Sequence, residues 1–367
     1  MVSDGCIAGG GPAGLAAALA LRQQGFAVTV VDCAVPPIDK ACGEGLMPDS
    51  LAALRRLGVE LDSSIGYPFR GISFSDGSST VRGEFPNGSG LGVRRFQLHE
   101  LLVKHVEAAG VQTIWGAKNV HLCEGGLSIQ GTHLAARFVV GADGLKSAIR
   151  ASAGLDAVKS EKRRYGFRRH YRVAPWSDYV ELYWGPRGQF YITPIAKSEI
   201  CIVFISRDSK LRLDAALEEF PLLRQKLAGA DHSSHEMGSM SISRSLRRIY
   251  KDGVALLGDA SGSVDAITGE GMCLAFKQAD ALAHALRSGD LKQYAAHHKK
   301  FSAKPRRMAS LMLTMEWHGE IQRRALASLA KRPELFDALL KLHVGEATMA
   351  GLLSRHLVGF GFDFLTA

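Results

Sequence analysis

Apolar positions in this chain follow two periods, and the switches between them mark out its elements. A short apolar run, Gly5 to Ala8, enters a glycine-rich turn; an Ala- and Leu-rich stretch with helical spacing reaches Gln24, and a second run, Ala27 to Val31, ends in Asp32. That order predicts strand, helix, strand. A further helix is expected over Pro48–Leu57, and alternation around Asp76-Gly77 predicts a hairpin from Gly71 to Arg82. Leu98, Leu101, Leu102 and Val106 share one face of a helix expected over Arg95–Ala109. Short strands follow at Thr113–Trp115, His121–Cys123 and Leu127–Gln130, then a buried strand ending at Asp143. Period-two patterning returns at Phe167–Val173, Tyr179–Trp184, Phe190–Pro194 and Ile200–Ser206, with a helix at Asp214–Leu227. After Ile249–Leu257 crosses back, the pattern is helical from Leu286 onward. There Met308, Leu311, Met312, Leu313, Met315 and Trp317 form a stripe that is either core, a roof over a long-chain substrate, or a contact for a membrane surface. The ending from His356 is apolar enough to dock on the protein body.

Composition narrows the class. The chain has 367 residues, 46% hydrophobic and 22% charged, enough for a substantial core in more than one domain. Its six cysteines are scattered without C-x-x-C pairing, which suits a reducing compartment better than a disulfide frame or zinc site. The first strand begins within a few residues of Met1 and no apolar run approaches eighteen residues, so neither a secretory signal nor a membrane span is expected, and the expected location is cytoplasmic. The net charge of +9 draws attention to KRRYGFRRHYR, Lys162 to Arg172. Strand alternation sends Arg168, His170 and Arg172 to one face, expected to be solvated or to hold an anionic substrate handle or an acidic membrane surface; nucleic acid is not expected.

Two glycine fingerprints carry the chemistry. In the first, Gly9-Gly10-Gly11-Pro12-Ala13-Gly14 joins strand to helix. Gly9 permits the turn, Gly11 leaves room for a pyrophosphate at the helix N-terminus, Gly14 lets helix and strand pack closely, and Asp32, with Cys33 beside it, is placed to bind a ribose diol. In the second, a buried strand delivers Gly258-Asp259 to a turn; Gly262, Gly269, Glu270 and Gly271 follow, and a helix runs from Met272. Together with GADG at Gly141–Gly144, which includes Asp143, and with Arg95 opening a helix over the cofactor, these blocks resemble the flavoprotein family of aromatic hydroxylases (p-hydroxybenzoate hydroxylase-like monooxygenases), geranylgeranyl reductases and flavin-dependent halogenases. The resemblance implies an α/β fold: a Rossmann-like, three-layer ββα FAD-binding domain, an inserted antiparallel substrate domain and C-terminal helices. The expected boundaries are 1–65, 90–155 and 249–290 for the first, 66–89 and 156–248 for the second, and 291–367 for the third.

The same resemblance implies FAD as cofactor, with NAD(P)H or a partner reductase as electron donor, since no second dinucleotide fingerprint is present. The loop Asp265–Gly271 is where backbone N–H groups are expected to meet the isoalloxazine, with Ala266 standing where relatives often carry proline, Thr268 beside it, and Glu270 as a helix-capping carboxylate or a catalytic one. Cys42, in DKACGEG, is either a proton-donating thiol with a pKa lowered by a nearby cation or a small apolar filler; Lys40 and Glu44 are expected as loop contacts. Tyr191, in GQFYITP, stands where relatives present aromatics to substrate, and Tyr183, Trp184 and Phe190 either line that pocket or fill the core. The tryptophan pair of halogenases is missing there. The favoured expectation is a monooxygenase of secondary metabolism that hydroxylates an aromatic or polyketide-like small molecule through a flavin hydroperoxide. The alternative is a reductase of prenyl or lipid double bonds.

Overall fold

The computed structural model describes residues 3–317 and 319–345; the apolar ending from His356 and the side chain of Trp317 lie outside the described residues. Its first layer is a six-stranded sheet in the order Tyr250–Lys251, Val254–Leu256, Phe138–Gly141, Gly5–Ala8, Val28–Val31, Gln112–Ile114. All neighbours are parallel except the first pair. The central strands are buried along their whole length, which is why they read as unbroken apolar runs. Helices Pro12–Gln23, Arg95–Ala108 and Gly271–Ser288 pack together on one side. An antiparallel meander, Val120–Cys123, Gly126–Ile129 and Thr132–Ala135, forms the third layer against Gly5–Ala8 and Phe138–Gly141. This is the three-layer ββα arrangement.

A second, larger sheet carries Asp231–His232, Val158–Arg172, Glu199–Ser206, Gly188–Ala196, Tyr179–Gly185, Gly71–Ser75 and Thr80–Glu84 in that order, with Met237–Leu246 also paired to Val158–Arg172. It is antiparallel apart from one join, where Tyr179–Gly185 runs parallel to Gly71–Ser75. Sequence patterning finds only the end of the long strand Val158–Arg172, because its first half carries Lys, Glu and Arg in place of apolar residues. The helix expected over Asp214–Leu227 is two short ones, Leu213–Leu217 and Pro221–Lys226. Pro221 cannot continue the first because it lacks the N–H for the ladder. Leu213, Leu217, Phe220 and Leu223 cover one face of the sheet.

Over the other face lie helices Leu291–Trp317, Gly319–Lys331 and Pro333–His343. A small sheet, Gly45–Leu46, Gly90–Gly92 and Tyr67–Phe69, joins the two main bodies. Gly92 is required there: a Cβ on it would fall 1.8 Å from the carbonyl oxygen of Pro194 in the large sheet. Among the described residues no helix is long and apolar enough to cross a membrane.

Candidate active site

The two fingerprints meet at one place. Gly9, with φ +110°, ends the first strand, and a Cβ on Gly14 would lie 1.8 Å from its carbonyl, so the helix can approach only because residue 14 is glycine. A Cβ on Gly11, by contrast, would meet nothing within 4 Å. It would project into a cavity that Gly9, Gly11, Pro12 and Ala13 help to line. The first helical bond runs from Leu15 N–H to Gly11 C=O, so the turn before it offers free N–H groups to an anion. Asp32 accepts from the N–H groups of Gly10 and Ala34, at 2.5 and 2.7 Å, and lines the cavity with Cys33. Each of its oxygens keeps a lone pair for a ribose hydroxyl. The second fingerprint closes on the first: Gly258 faces Ala13 so closely that a Cβ on it would come within 2.8 Å of the alanine methyl. Asp259 lines the same space and pairs with Lys40 at 3.4 Å, both about half-exposed.

Arg95 supplies the cation. It opens the helix Arg95–Ala108, is buried, lines the cavity, and its Nη1 has no partner. Burial pulls its pKa down. A buried guanidinium with one unpartnered nitrogen, beside two helix starts and an open glycine cradle, fits an anionic dinucleotide. The Thr268 turn completes the cradle. Asp265 accepts from Ile267 N–H, and the N–H of exposed Ala266 donates to Ser241 Oγ at 3.2 Å. The N–H groups of Thr268 and Gly269 return to Asp265 and Ala266. Helix Gly271–Ser288 makes its first bond from Leu274 N–H to Glu270 C=O, so Gly271 and Met272, both on the cavity wall, keep N–H groups outside the helical ladder.

Two expectations are corrected and one is narrowed. The N–H groups of residues 266–269 are spent within the turn or on Ser241, so within the loop Asp265–Gly271 it is Gly271, at the start of the following helix, that keeps an N–H for a flavin. Glu270 neither lines the cavity nor caps that helix with a side-chain bond. It is buried, with no hydrogen bond to Oε2 and His343 Nδ1 3.8 Å away, and its carboxyl is pushed up to about 8 by burial and by Asp49. The carboxylate of Asp143 is spent locally, accepting from Ser147 Oγ and Ile149 N–H, so Asp143 and Gly144 shape the cavity edge without a free acid there.

Beyond the cradle the cavity opens between the large sheet and the C-terminal helices, and its whole volume is about 1480 Å³. Single-ligand sites usually occupy about 300–1,000 Å³, so there is room for a dinucleotide and a second molecule. The four aromatics of the sheet divide by face. Trp184 and Tyr191 line the cavity, whereas Tyr183 and Phe190 pack under the short helices on the opposite side. Tyr191 donates to the carbonyl of Ile267 in the Thr268 turn at 3.4 Å, and burial pushes its phenol well up. Met308, Leu311, Met312 and Met315 form part of the roof, so that stripe faces the cavity.

Cys42 also lines the cavity, beside Arg95. Its thiol departs from expectation in direction: burial pushes it up, and the Arg95 charge offsets this only in part. The loop around it is pinned to the large sheet, with Thr193 Oγ1 donating to Gly43 C=O at 2.7 Å and Cys201 Sγ to Cys42 C=O at 3.6 Å.

Most of the basic run from Arg164 to His170 is not a solvated face. Arg168 is 1% exposed and bonds Asp39 and Glu44; Arg164 is buried against Asp265 and Glu316; Arg169 pairs with Asp214 and Glu236. Of the three residues assigned to one solvated face, only Arg172 is exposed. Glu44, read from sequence as a loop contact, is fully buried with φ +59°, lines the cavity, and accepts from Arg95 N–H and Arg168 Nη1. Sequence reasoning passed over Arg94 and took Glu44 only as a loop contact; the one available signal for more was an acid between two glycines in CGEG.

A parallel nucleotide sheet with two converging glycine turns and a buried arginine over a two-chambered cavity defines an FAD-dependent oxidoreductase. Residues 3–289 match the FAD binding domain family, and the chain belongs to it. It is 26% identical over 317 residues to a menaquinone reductase of Mycobacterium tuberculosis, covering 79% of this chain and 78% of that protein. Similarity to a putative FAD-dependent monooxygenase of Bacillus subtilis is also 26%, over 358 residues, covering 87% and 93%. Among solved structures, a flavoprotein/dehydrogenase from Cytophaga hutchinsonii superposes with a TM-score of 0.80 at 17% identity, covering 100% of this chain and 98% of that one. A geranylgeranyl bacteriochlorophyll reductase-like protein from Thermoplasma acidophilum gives 0.70 at 20%, covering 96% and 95%.

Proposed function

We propose that this oxidoreductase is a monooxygenase that hydroxylates an aromatic, largely apolar small molecule, with NAD(P)H or a partner reductase as electron source. The observation that supports it best is the second chamber. Phe74, Trp184 and Phe336 surround it with aromatic surface, and Tyr191 brings a hydroxyl to the side nearest the Thr268 turn. An aromatic ring stacks on such walls, and a ring hydroxyl has a polar partner there. Leu311 lines the cavity and is half-exposed, which gives an apolar molecule a way in across the roof. Bound FAD supplies the redox chemistry, and the protein supplies position, a dry chamber and charge. Arg95 holds negative charge at the cradle, while the methionine-lined roof keeps bulk water from the reacting face.

A second reading, reduction of a carbon–carbon double bond, is favoured by Cys42. A thiol raised by burial stays protonated at neutral pH, as a proton donor must. Turnover with labelled dioxygen separates the two. Label in the product, with much of the activity kept in Cys42→Ser, supports hydroxylation. Unlabelled product that also forms under strict anaerobiosis, and is lost in Cys42→Ser, establishes reduction.

A further inference from the structure

The Thr268 turn is held from the substrate side of the cavity. Its front end is anchored at Asp265, which accepts from Arg164 Nη1 at 2.9 Å, while Arg164 Nη2 pairs with Glu316 of the helix Leu291–Trp317 at 3.1 Å. Further along, two consecutive peptide units are gripped at both ends. In the first, Thr268 N–H donates to Asp265 C=O and Ile267 C=O accepts from the Tyr191 hydroxyl at 3.4 Å. In the second, Gly269 N–H donates to Ala266 C=O at 3.0 Å and Thr268 C=O accepts from His343 Nε2 at 3.2 Å. A carbonyl only accepts, so Nε2 carries a proton. Burial depresses His343 to about 4, so the ring is neutral at neutral pH and that proton is its only one. Glu270 Oε2, 3.8 Å from Nδ1, is beyond hydrogen-bond reach.

The second grip falls where the chain turns most easily. Gly269 has φ +67°, and a Cβ on it would meet nothing within 4 Å, so no side chain of its own and no neighbour opposes rotation of the Thr268–Gly269 peptide. Its bonds to Ala266 and from His343 hold it. Two residues on is Gly271, whose N–H stays outside the helical ladder on the cavity wall. His343 ends the helix Pro333–His343, and Phe336, Leu339 and Leu340 of that helix line the cavity with it. Their spacing places them on one face. The face that walls the second chamber therefore also grips the turn.

We propose that His343 is a positioning residue: it fixes the Thr268–Gly269 peptide so that the N–H of Gly271 stays directed into the flavin side of the cavity, and it ties that turn to the wall of the substrate chamber. Fixed N–H dipoles favour the negative charge that reduction adds to a flavin. Without the His343 bond the peptide rotates, and reduced flavin loses more of that support than oxidised flavin. The proposal rests on FAD in the cradle and not on the choice between hydroxylation and double-bond reduction.

Two readouts test this without turnover. One is amide hydrogen exchange of residues 265–271 in the FAD-loaded protein, followed by mass spectrometry with the strand Val254–Leu256 as internal control. The other is the midpoint potential of bound FAD. His343→Leu is expected to speed exchange in 265–271 at least roughly fivefold, the factor that one buried hydrogen bond carries, with the control strand unchanged. It is also expected to lower the affinity for reduced relative to oxidised flavin about tenfold, a fall of about 30 mV for a two-electron couple. His343→Gln, whose amide nitrogen reaches the place of Nε2, is expected to restore both. If His343→Leu does not fold, His343→Asn, too short to reach Thr268, takes its place. Nitrogen-15 NMR of the unmodified protein is expected to show the Nε2–H tautomer. Wild-type exchange or wild-type potential in the variant without the donor would overturn the proposal. So would an equal rise of exchange in the control strand, a His343→Gln that leaves either readout defective, or an Nδ1–H tautomer.

Discussion

Arg168 joins Glu44 to Asp39, donating to the first at 2.9 Å and to the second at 2.8 Å, with its own side chain 1% exposed. It therefore locks the loop that carries Cys42 against the large sheet. Removing one partner of such a buried pair typically costs about 3–5 kcal/mol, because the remaining charge is left without compensation. Arg168→Met should lose stability of that order in urea denaturation. A loss below about 1 kcal/mol, the level of an exposed pair, would show that the pair does not hold the loop.

Gly11 and Gly14, three residues apart, should fail in different ways. A Cβ at residue 14 collides with backbone, so Gly14→Ala should destabilise the fold by about 1–3 kcal/mol as overpacking does. A side chain at residue 11 meets only open cavity, so Gly11→Val should fold normally and lose FAD. Thermal unfolding alongside flavin absorbance separates these outcomes. Full flavin occupancy in Gly11→Val would mean that the cradle has been misassigned.

Arg95 has a buried nitrogen with no protein partner, so its stabilising contact lies with the cofactor. A hydrogen bond to a charged group is worth about 1.5–3 kcal/mol, hence roughly 10- to 150-fold in affinity. Arg95→Met should weaken FAD binding by that factor in titration of the apoprotein, with little change in fold. Unaltered affinity would remove Arg95 from the site.

Stability should fall as pH rises between about 6.5 and 8. Burial raises Glu270 to about 8, so the folded protein holds a proton there that the unfolded chain has lost. That stabilisation is complete below the ordinary carboxylate range and is lost as pH passes through the folded value, at no more than ~1.4 kcal/mol per pH unit. His343 and His298 oppose it lower down. Burial depresses both to about 4, so their contribution grows as pH rises from about 4 to the ordinary histidine value and is flat beyond it. Asp49, Lys277, Lys304 and His343 surround Glu270, so the variant should keep its size. Denaturation of Glu270→Gln at pH 6.5 and 8 should show the fall abolished. An equal fall in the variant would place its origin elsewhere.

The nucleotide half of the molecule was largely legible because its strands are apolar throughout and its glycines serve backbone geometry, which leaves a fixed spacing. The cavity wall was legible only in part. Alternation separates Tyr191 from Phe190, but which of the two faces the flavin depends on what covers each side of the sheet. The charged residues were misread for a physical reason: alternation assigns a face, and only tertiary pairing shows whether that face is wet. Arg164, Arg168 and His170 found carboxylates on Asp265, Asp39 and Glu44, up to 129 positions away in sequence.

That internal pairing also bears on what the chamber accepts. With Arg164, Arg168 and Arg169 of the basic run engaged by carboxylates, a substrate anion would enter walls of Leu182, Trp184, Met312 and Leu329 without a matching charge. Burying an unpaired carboxylate is costly enough that it binds protonated or not at all, whereas a phenol loses little when its hydroxyl finds one partner. A neutral long-chain alkylphenol should therefore perturb the spectrum of the bound flavin at concentrations at least about tenfold lower than p-hydroxybenzoate at pH 7.5, a difference of ~1.4 kcal/mol. Met312→Trp, which fills the roof side of the chamber, should abolish the alkylphenol response and leave FAD in place. Tighter binding of the benzoate would reveal an unpaired cation in the chamber and overturn the apolar assignment.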